Sequence, residues 1–213
     1  MTKITQSGKS TLLSVLLRML DNDSGTILID GLDLSHIPRS IIRERIITIP
    51  QEPFILSGSI HHNLDPSSFH PTSHIISVLE KVGLWSLLSS RGLDSLMTDN
   101  PLSQGQQQIF CLARAMLQVS SLSAGEQQAR RKIMVLDEAT SNVDRETDGL
   151  IQRLIREEFG GCTILTVAHR LETIRDADRV LVLEKGQVVE FESPEVLEGR
   201  EGSLWGRLRG GRA

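Results

Sequence analysis

Five residues near the start have the types and spacing to hold a phosphate group: Ser7-Gly8-Lys9-Ser10-Thr11. They form the second half of the pattern GxxxxGK[ST] and lead into Leu12, Leu13, Leu16, Leu17 and Leu20, apolar residues at helical spacing. The first N–H groups of a helix have no partner within it, and the helix dipole favours an anion beside them. Lys9 adds a point charge for the β- and γ-phosphates of a nucleotide, and Ser10 offers a hydroxyl to Mg²⁺. Gln6, Ser7, Gly8, Lys9, Ser10 and Thr11 are therefore the candidate phosphate cradle. Its first half departs from the pattern, with Lys3 and Gln6 standing where glycine is expected. A non-glycine residue forced to positive φ costs about 1–2 kcal/mol, so the loop is expected to be strained or reshaped there.

A second constellation lies far along the chain. Ile133-Met134-Val135-Leu136 ends in Asp137-Glu138, an apolar strand closing on two carboxylates. Asp137 can hold Mg²⁺ through a water, and Glu138 can take the proton of an attacking water, a role typically worth about 10²–10⁴-fold in rate. Ligands of open α/β sheets gather at the carboxyl ends of the strands, which predicts that this pair shares an edge with Lys9. Each motif has a bland counterpart: a chance GKST at a helix start, or two solvated acids capping the next helix. Together they outweigh those readings. The chain has no Asn-Lys-x-Asp sequence of the kind that reads guanine, so ATP is favoured over GTP.

The elements needed to position these groups are legible. A helix is predicted over Gly8 to Leu20, ended by Asp21-Asn22-Asp23-Ser24-Gly25, and strands over Thr26 to Asp30 and Ile46 to Ile49. From about Pro53 to Gln118 the pattern turns helical, as in Ile75, Ile76, Val78, Leu79 and Val82, with a final helix beginning at Ser103. Strand Ile133 to Leu136, helix Asp144 to Phe159, strand Thr163 to Val167, a short helix, strand Arg179 to Leu183 and a turn at Lys185-Gly186 follow. Alternating strands and helices predict a P-loop NTPase of α/β class: a largely parallel sheet flanked by helices, an inserted helical lobe and a C-terminal β-hairpin. The expected organisation is a single domain over 1–213, with 1–52 and 119–213 as ATPase core, 53–118 as the lobe and 118–132 as an atypical insert.

Composition narrows the classes. With 213 residues, 39% hydrophobic and 23% charged, the chain fits one soluble domain. A formal net charge of −4 argues against nucleic acid as a partner. Two unrelated cysteines, Cys111 and Cys162, point to a reducing compartment. No signal-peptide pattern opens the sequence, and no apolar run is long enough to cross a bilayer, so any membrane segment is expected on other polypeptide.

With these pieces assembled, the sequence resembles the nucleotide-binding domain of an ABC transporter. The motifs stand in that family's order: the P-loop at Gly8, Ile49-Pro50-Gln51 as the Q-loop, Leu102-Ser103-Gln104-Gly105-Gln106 as the signature, Asp137-Glu138 as Walker B, Ser141-Asn142-Val143-Asp144 as the D-loop, and Ala168-His169-Arg170 as the switch. Ile49 to Pro66, Leu136 to Asp144 and Lys185 to Leu197 are similar to the multidrug-resistance-protein (C) branch of exporters, and Glu138 resembles its second, hydrolysis-competent domain. The resemblance implies a head-to-tail dimer of two nucleotide-binding domains attached to transmembrane domains at the cytoplasmic face of a membrane, with ATP and Mg²⁺ bound between the copies. It also implies roles. Ser103, Gly105 and Gln106 would touch the partner's ATP, Gln51 would join Mg²⁺ beside Ser10 and Asp137, His169 would contact the γ-phosphate, and Asp144 would help join the two sites.

Several features sit apart from this reading. Only Met1 to Ser7 precede the P-loop, so the strand it normally follows and the family's adenine-stacking aromatic are expected to be missing, and the chain alone is expected to turn over little ATP. The stretch Gln118 to Lys132 is longer than the family pattern and holds a second signature-like run, Leu122 to Gln128, read here as a surface loop. His61, His62, His70 and His74 match no usual metal spacing and read as surface residues. The alternatives are a degenerate ATP-binding fragment without catalysis and a soluble ABC ATPase unconnected with transport.

Overall fold

Residues 8–99, 102–120, 132–137, 143–168 and 174–209 are described in a computed structural model of the chain. They fall into two compact units, Met1–Glu44 with Ala168–Ala213, and Arg45–Val167.

In the first unit, helix α1 spans Lys9–Leu16 and buries Leu13. It is shorter than the leucine spacing predicts. Arg18 takes φ 50°, and its guanidinium donates to the carbonyls of Leu34 (3.0 Å) and Ile37 (2.6 Å), so a tertiary hydrogen-bond pair ends the helix before Leu20. Strands β1 (Leu28–Ile29) and β2 (Leu32–Asp33) form a small antiparallel ladder, and the expected strand to Asp30 gives way to a turn in which Asp30 and Gly31 both have positive φ. Helix α2 covers Arg39–Arg45.

The second unit carries the parallel sheet. Strand β3 (Ile46–Ile49) leads to helices α3 (Ile60–Leu64), α4 (Thr72–Lys81), α5 (Trp85–Leu88) and α6 (Gln104–Ser120), then to β4 (Ile133–Asp137), α7 (Arg145–Glu158) and β5 (Thr163–Val167). β4 lies between β3 and β5, parallel to both, with Ile46 opposite Ile133 and Leu136 opposite Thr166. Its Met134, Val135 and Leu136 are buried, as the unbroken apolar run requires. α7 turns Ile151, Leu154 and Ile155 to the same core, and α4 turns Ile75, Val78 and Leu79, each set at the i, i+3, i+4 spacing of one helical face. Phe110, Leu112, Ala113 and Leu117 of α6 join them, so one continuous core links sheet and helices within this unit. A buried Asn63 closes the loop before α3. Its carboxamide accepts from Leu56 N–H at 2.7 Å and donates to the Leu56 and Ser59 carbonyls.

The chain ends, back in the first unit, with the hairpin of β6 (Val180–Glu184) and β7 (Gln187–Glu192), turned at Lys185-Gly186 with both residues at positive φ, then α8 (Pro194–Gly199) and α9 (Leu204–Arg209). Trp205 is fully buried with Val180 and Leu197.

Candidate functional site

The start of α1 has the geometry of an anion cradle. Gly8 stands immediately before the helix at φ 86°, ψ 3°, and no side chain caps the helix start. A Cβ at Gly8 would lie 3.3 Å from the Cα of Gly186, so this position needs glycine for its backbone angle and for space. The first turn, Lys9 to Thr11, carries no acid to compete for its N–H groups. Lys9 is half-buried, and Ser10 and Thr11 are exposed. These residues fit a phosphate and its metal: among the described residues no side chain caps the helix start, Lys9 brings a cation, and Ser10 and Thr11 bring hydroxyls. Gln6 and Ser7 lie outside the described residues.

The second unit carries Gln51, the signature residues, Asp137 and Asp144, whereas the switch segment from Ala168 belongs to the first. Asp137 closes β4, half-buried and opposite Val167 of β5. The next residue, Glu138, and the switch histidine, His169, lie outside the described residues. Gln51 follows β3 on the exposed loop.

The signature residues form a reciprocal cap on α6. Ser103 Oγ accepts from Gln106 N–H at 3.3 Å, while Gln106 Oε1 accepts from Ser103 N–H at 2.9 Å. This is a capping box, two orphan donors satisfied by two side chains three residues apart. Gly105 faces the start of α7. A Cβ there would sit 3.5 Å from Thr147 Oγ1 and 4.0 Å from Asp144 Oδ2. Asp144 in turn caps α7, with Oδ1 accepting from Glu146 N–H (3.0 Å) and Thr147 N–H (2.9 Å) and Oδ2 from the Thr147 hydroxyl (2.7 Å). The backbone bond from Thr147, aided by its hydroxyl, holds the Asp144 carboxyl below its ordinary range. Ser103, Gly105, Gln106 and Asp144 thus belong to one assembly of two helix starts.

One participant escaped the sequence reading. Gln108, buried on α6, donates Nε2 to the carbonyls of Pro50 (3.2 Å) and Gln51 (3.1 Å), tying the signature helix to the loop after β3. The available signal was a glutamine two residues past the signature, on the face of α6 that otherwise carries Ile109, Leu112 and Ala115.

The family model described as ABC transporter matches residues 6–141. The chain belongs to the ABC transporter family. It is 47% identical over 205 residues to ABC multidrug transporter B of Aspergillus fumigatus, covering 96% of this chain and 13% of that protein. It is 44% identical over 205 residues to ATP-binding cassette sub-family C member 2 of Rattus norvegicus, covering 94% of this chain and 13% of the relative. To ATP-binding cassette sub-family C member 10 of Mus musculus it is 42% identical over 207 residues, 96% of this chain and 13% of the relative. The ABC domain thus spans about an eighth of the length of the curated relatives it matches, and its kinship is with the C subfamily. ABC domains of this family bind ATP with Mg²⁺ as a rule, and the start of α1 supplies the donors that such a ligand needs. Among the described residues no helix of this ABC chain is long and apolar enough to cross a membrane.

Proposed function

We propose that the chain binds and hydrolyses ATP and that this turnover powers transmembrane export, as the motor of an ABC-type transporter of the C subfamily, in the place of its second nucleotide-binding domain. The observation that supports this most directly is Gly8 at φ 86° opening an acid-free first turn that carries Lys9 and Ser10. In this reading Gly8, Lys9, Ser10 and Thr11 take the phosphates, with Gln6 and Ser7 before them. Ser10, Gln51 and Asp137 hold Mg²⁺, which supplies charge neutralisation at the β- and γ-oxygens. Glu138 accepts the proton of the attacking water, and His169 senses the γ-phosphate. Ser103, Gly105 and Gln106, set at the N-terminal end of a 17-residue helix, present donors to the ATP of a second domain packed head to tail, and Asp144 joins the two sites. The ATPase core then comprises 1–52 and 119–213, the lobe 53–118 faces transmembrane domains of the same transporter, and the assembly sits at the cytoplasmic side of a membrane.

The decisive test is Glu138→Gln in a transporter that contains this domain. The amide keeps the shape and cannot take the proton, so ATP should still bind while turnover stops and the closed dimer accumulates. Turnover within about threefold of the parent would show that Glu138 is not the base, since such a group contributes about 10²-fold or more.

A further inference from the structure

The residues that converge at the far end of α6 belong to none of the ATP motifs. Asp65, buried, places Oδ2 2.7 Å from the His70 N–H and 3.2 Å from His70 Nδ1. The His70 side chain is only 9% exposed, so it is not the surface residue its spacing implied. Its Nε2 lies 3.2 Å from the hydroxyl of Ser120, the last residue of α6. His74, from the first turn of α4, brings its own Nε2 to 3.0 Å from the same oxygen. The two imidazoles stand 5.2 Å apart between ring centroids.

Proton accounting shows what this point favours. A carboxylate only accepts, so Asp65 fixes the proton of a neutral His70 on Nδ1 and leaves Nε2 as a lone pair. The Ser120 hydroxyl has one proton and faces the Leu117 carbonyl at 2.9 Å, the His70 Nε2 lone pair, and His74 Nε2, which donates or accepts according to its tautomer. With the His74 proton on Nδ1 instead, both imidazoles turn a lone pair toward the same point, 3.0 and 3.2 Å from one oxygen. A carboxylate, a histidine and a serine in sequence also suggest a nucleophile with its base. That reading fails on electrostatics, because Ser120 closes a helix whose C-terminal carbonyls repel a developing anion and attract a cation.

We propose that His70 Nε2 and His74 Nε2 bind a divalent transition-metal ion of the Zn²⁺ class, with Asp65 as the carboxylate that orients His70. The pattern of a carboxylate holding the distal N–H of a ligating imidazole is the usual support of such a ligand. An ion at this point takes the two nitrogens at about 2.0–2.1 Å once the rings close on it, with two waters, or Ser120 Oγ and one water, completing the tetrahedron. Among the described residues no three His, Cys, Asp or Glu side chains gather as a metal centre, so this is an open site with two protein nitrogens. Bound metal would staple the segment Asp65 to His74 to the end of the signature helix.

The test is calorimetric titration of the full chain with Zn²⁺ alone, in parallel with Mg²⁺. One Zn²⁺ should bind per chain, and Mg²⁺ should not compete for it. His74→Ala, a change at a half-exposed side chain, should weaken Zn²⁺ at least tenfold, and Asp65→Asn about 10–100-fold. The double variant His61→Ala, His62→Ala should leave binding intact. Absence of Zn²⁺ binding, undiminished affinity in folded His74→Ala, or loss of binding in the His61, His62 double variant would each overturn the proposal.

Discussion

At Gly8 the backbone angle and the neighbouring Gly186 make the same demand. Gly8→Ala forces an L side chain to φ 86° and drives its Cβ to 3.3 Å from another main chain, which cannot swing aside as a side chain would. The expected result is destabilisation by about 1–2 kcal/mol in denaturant unfolding, with weaker Mg-ATP binding measured on the folded fraction. This residue was legible from sequence because the P-loop pattern names a glycine there, although the pattern carried no hint of Gly186. The assembly at Ser103 was half legible. The motif order singled out Ser103, Gly105 and Gln106, and S-x-x-Q is itself a sequence signature of a capping box. Gln108 was missed, because in the run Gln106-Gln107-Gln108 residue type singles out none of the three, and only the face shared with Leu112 and Ala115 marks the one that turns inward. Gln108→Leu removes its two bonds to the Pro50 and Gln51 carbonyls and also removes a buried Oε1 that has no partner. Stability should change by no more than about 1 kcal/mol, since removal of the unpartnered Oε1 offsets the lost donations and the Pro50 and Gln51 carbonyls lie on exposed residues that water can reach. ATP turnover should fall several-fold, a split between melting temperature and kcat that marks a positioning role.

Among the elements, the ones read correctly are those with strong periodicity and clear punctuation. β3 and β5 have the boundaries the sequence predicts, and α7 begins one residue after Asp144 because Asp144 is its cap. α1 was overextended because five leucines at helical spacing carry no information about where the Arg18 guanidinium finds its acceptors. Nor could spacing reveal that Glu190, on a strand with outward-facing Val188, Val189 and Phe191, reaches across to start α9. Burial raises the Glu190 carboxyl, but donation from Trp205 N–H, Leu204 N–H and Ser203 Oγ outweighs it and leaves the group below its ordinary value. A carboxyl depressed in the folded state stabilises fully above the unfolded value, about 4.3, and loses that contribution as pH falls through the folded value. The parent should therefore lose melting temperature in acid partly through this group. Glu190→Gln should be less stable near neutrality, by about 2 kcal/mol for lost charge-assisted bonds, and should show a smaller fall in acid. Thermal melts of both proteins across pH 3 to 7 check this; parallel curves would remove Glu190 from the account.

For the whole molecule, the sheet order ends at β5, and among the described residues that strand pairs only with β4. Ile164 on it is 37% exposed. An unpaired apolar edge invites another strand, and a lysine at such a position is the usual deterrent. Ile164→Lys should reduce concentration-dependent light scattering of the isolated chain while shifting stability by no more than about 0.5 kcal/mol, as for an exposed site. The sheet has a further property in time rather than space. Ile46 must find Ile133, so during synthesis β3 waits for roughly ninety residues, several seconds at about 5–20 residues per second, before its parallel neighbour exists. Helices α3 to α6 pack on one another and on β3, all within residues made by Ser120, and can close in the interval, whereas β3 and β4 must bear the closure entropy of everything between them. The topology predicts an order of events: helices α3 to α6 condense first, and the strand that carries Asp137 is the late arrival that pairs with Ile46–Ile49. A ribosome stalled before Ile133 would hold a folded lobe and an unpartnered Ile46–Ile49, the species most in need of a chaperone.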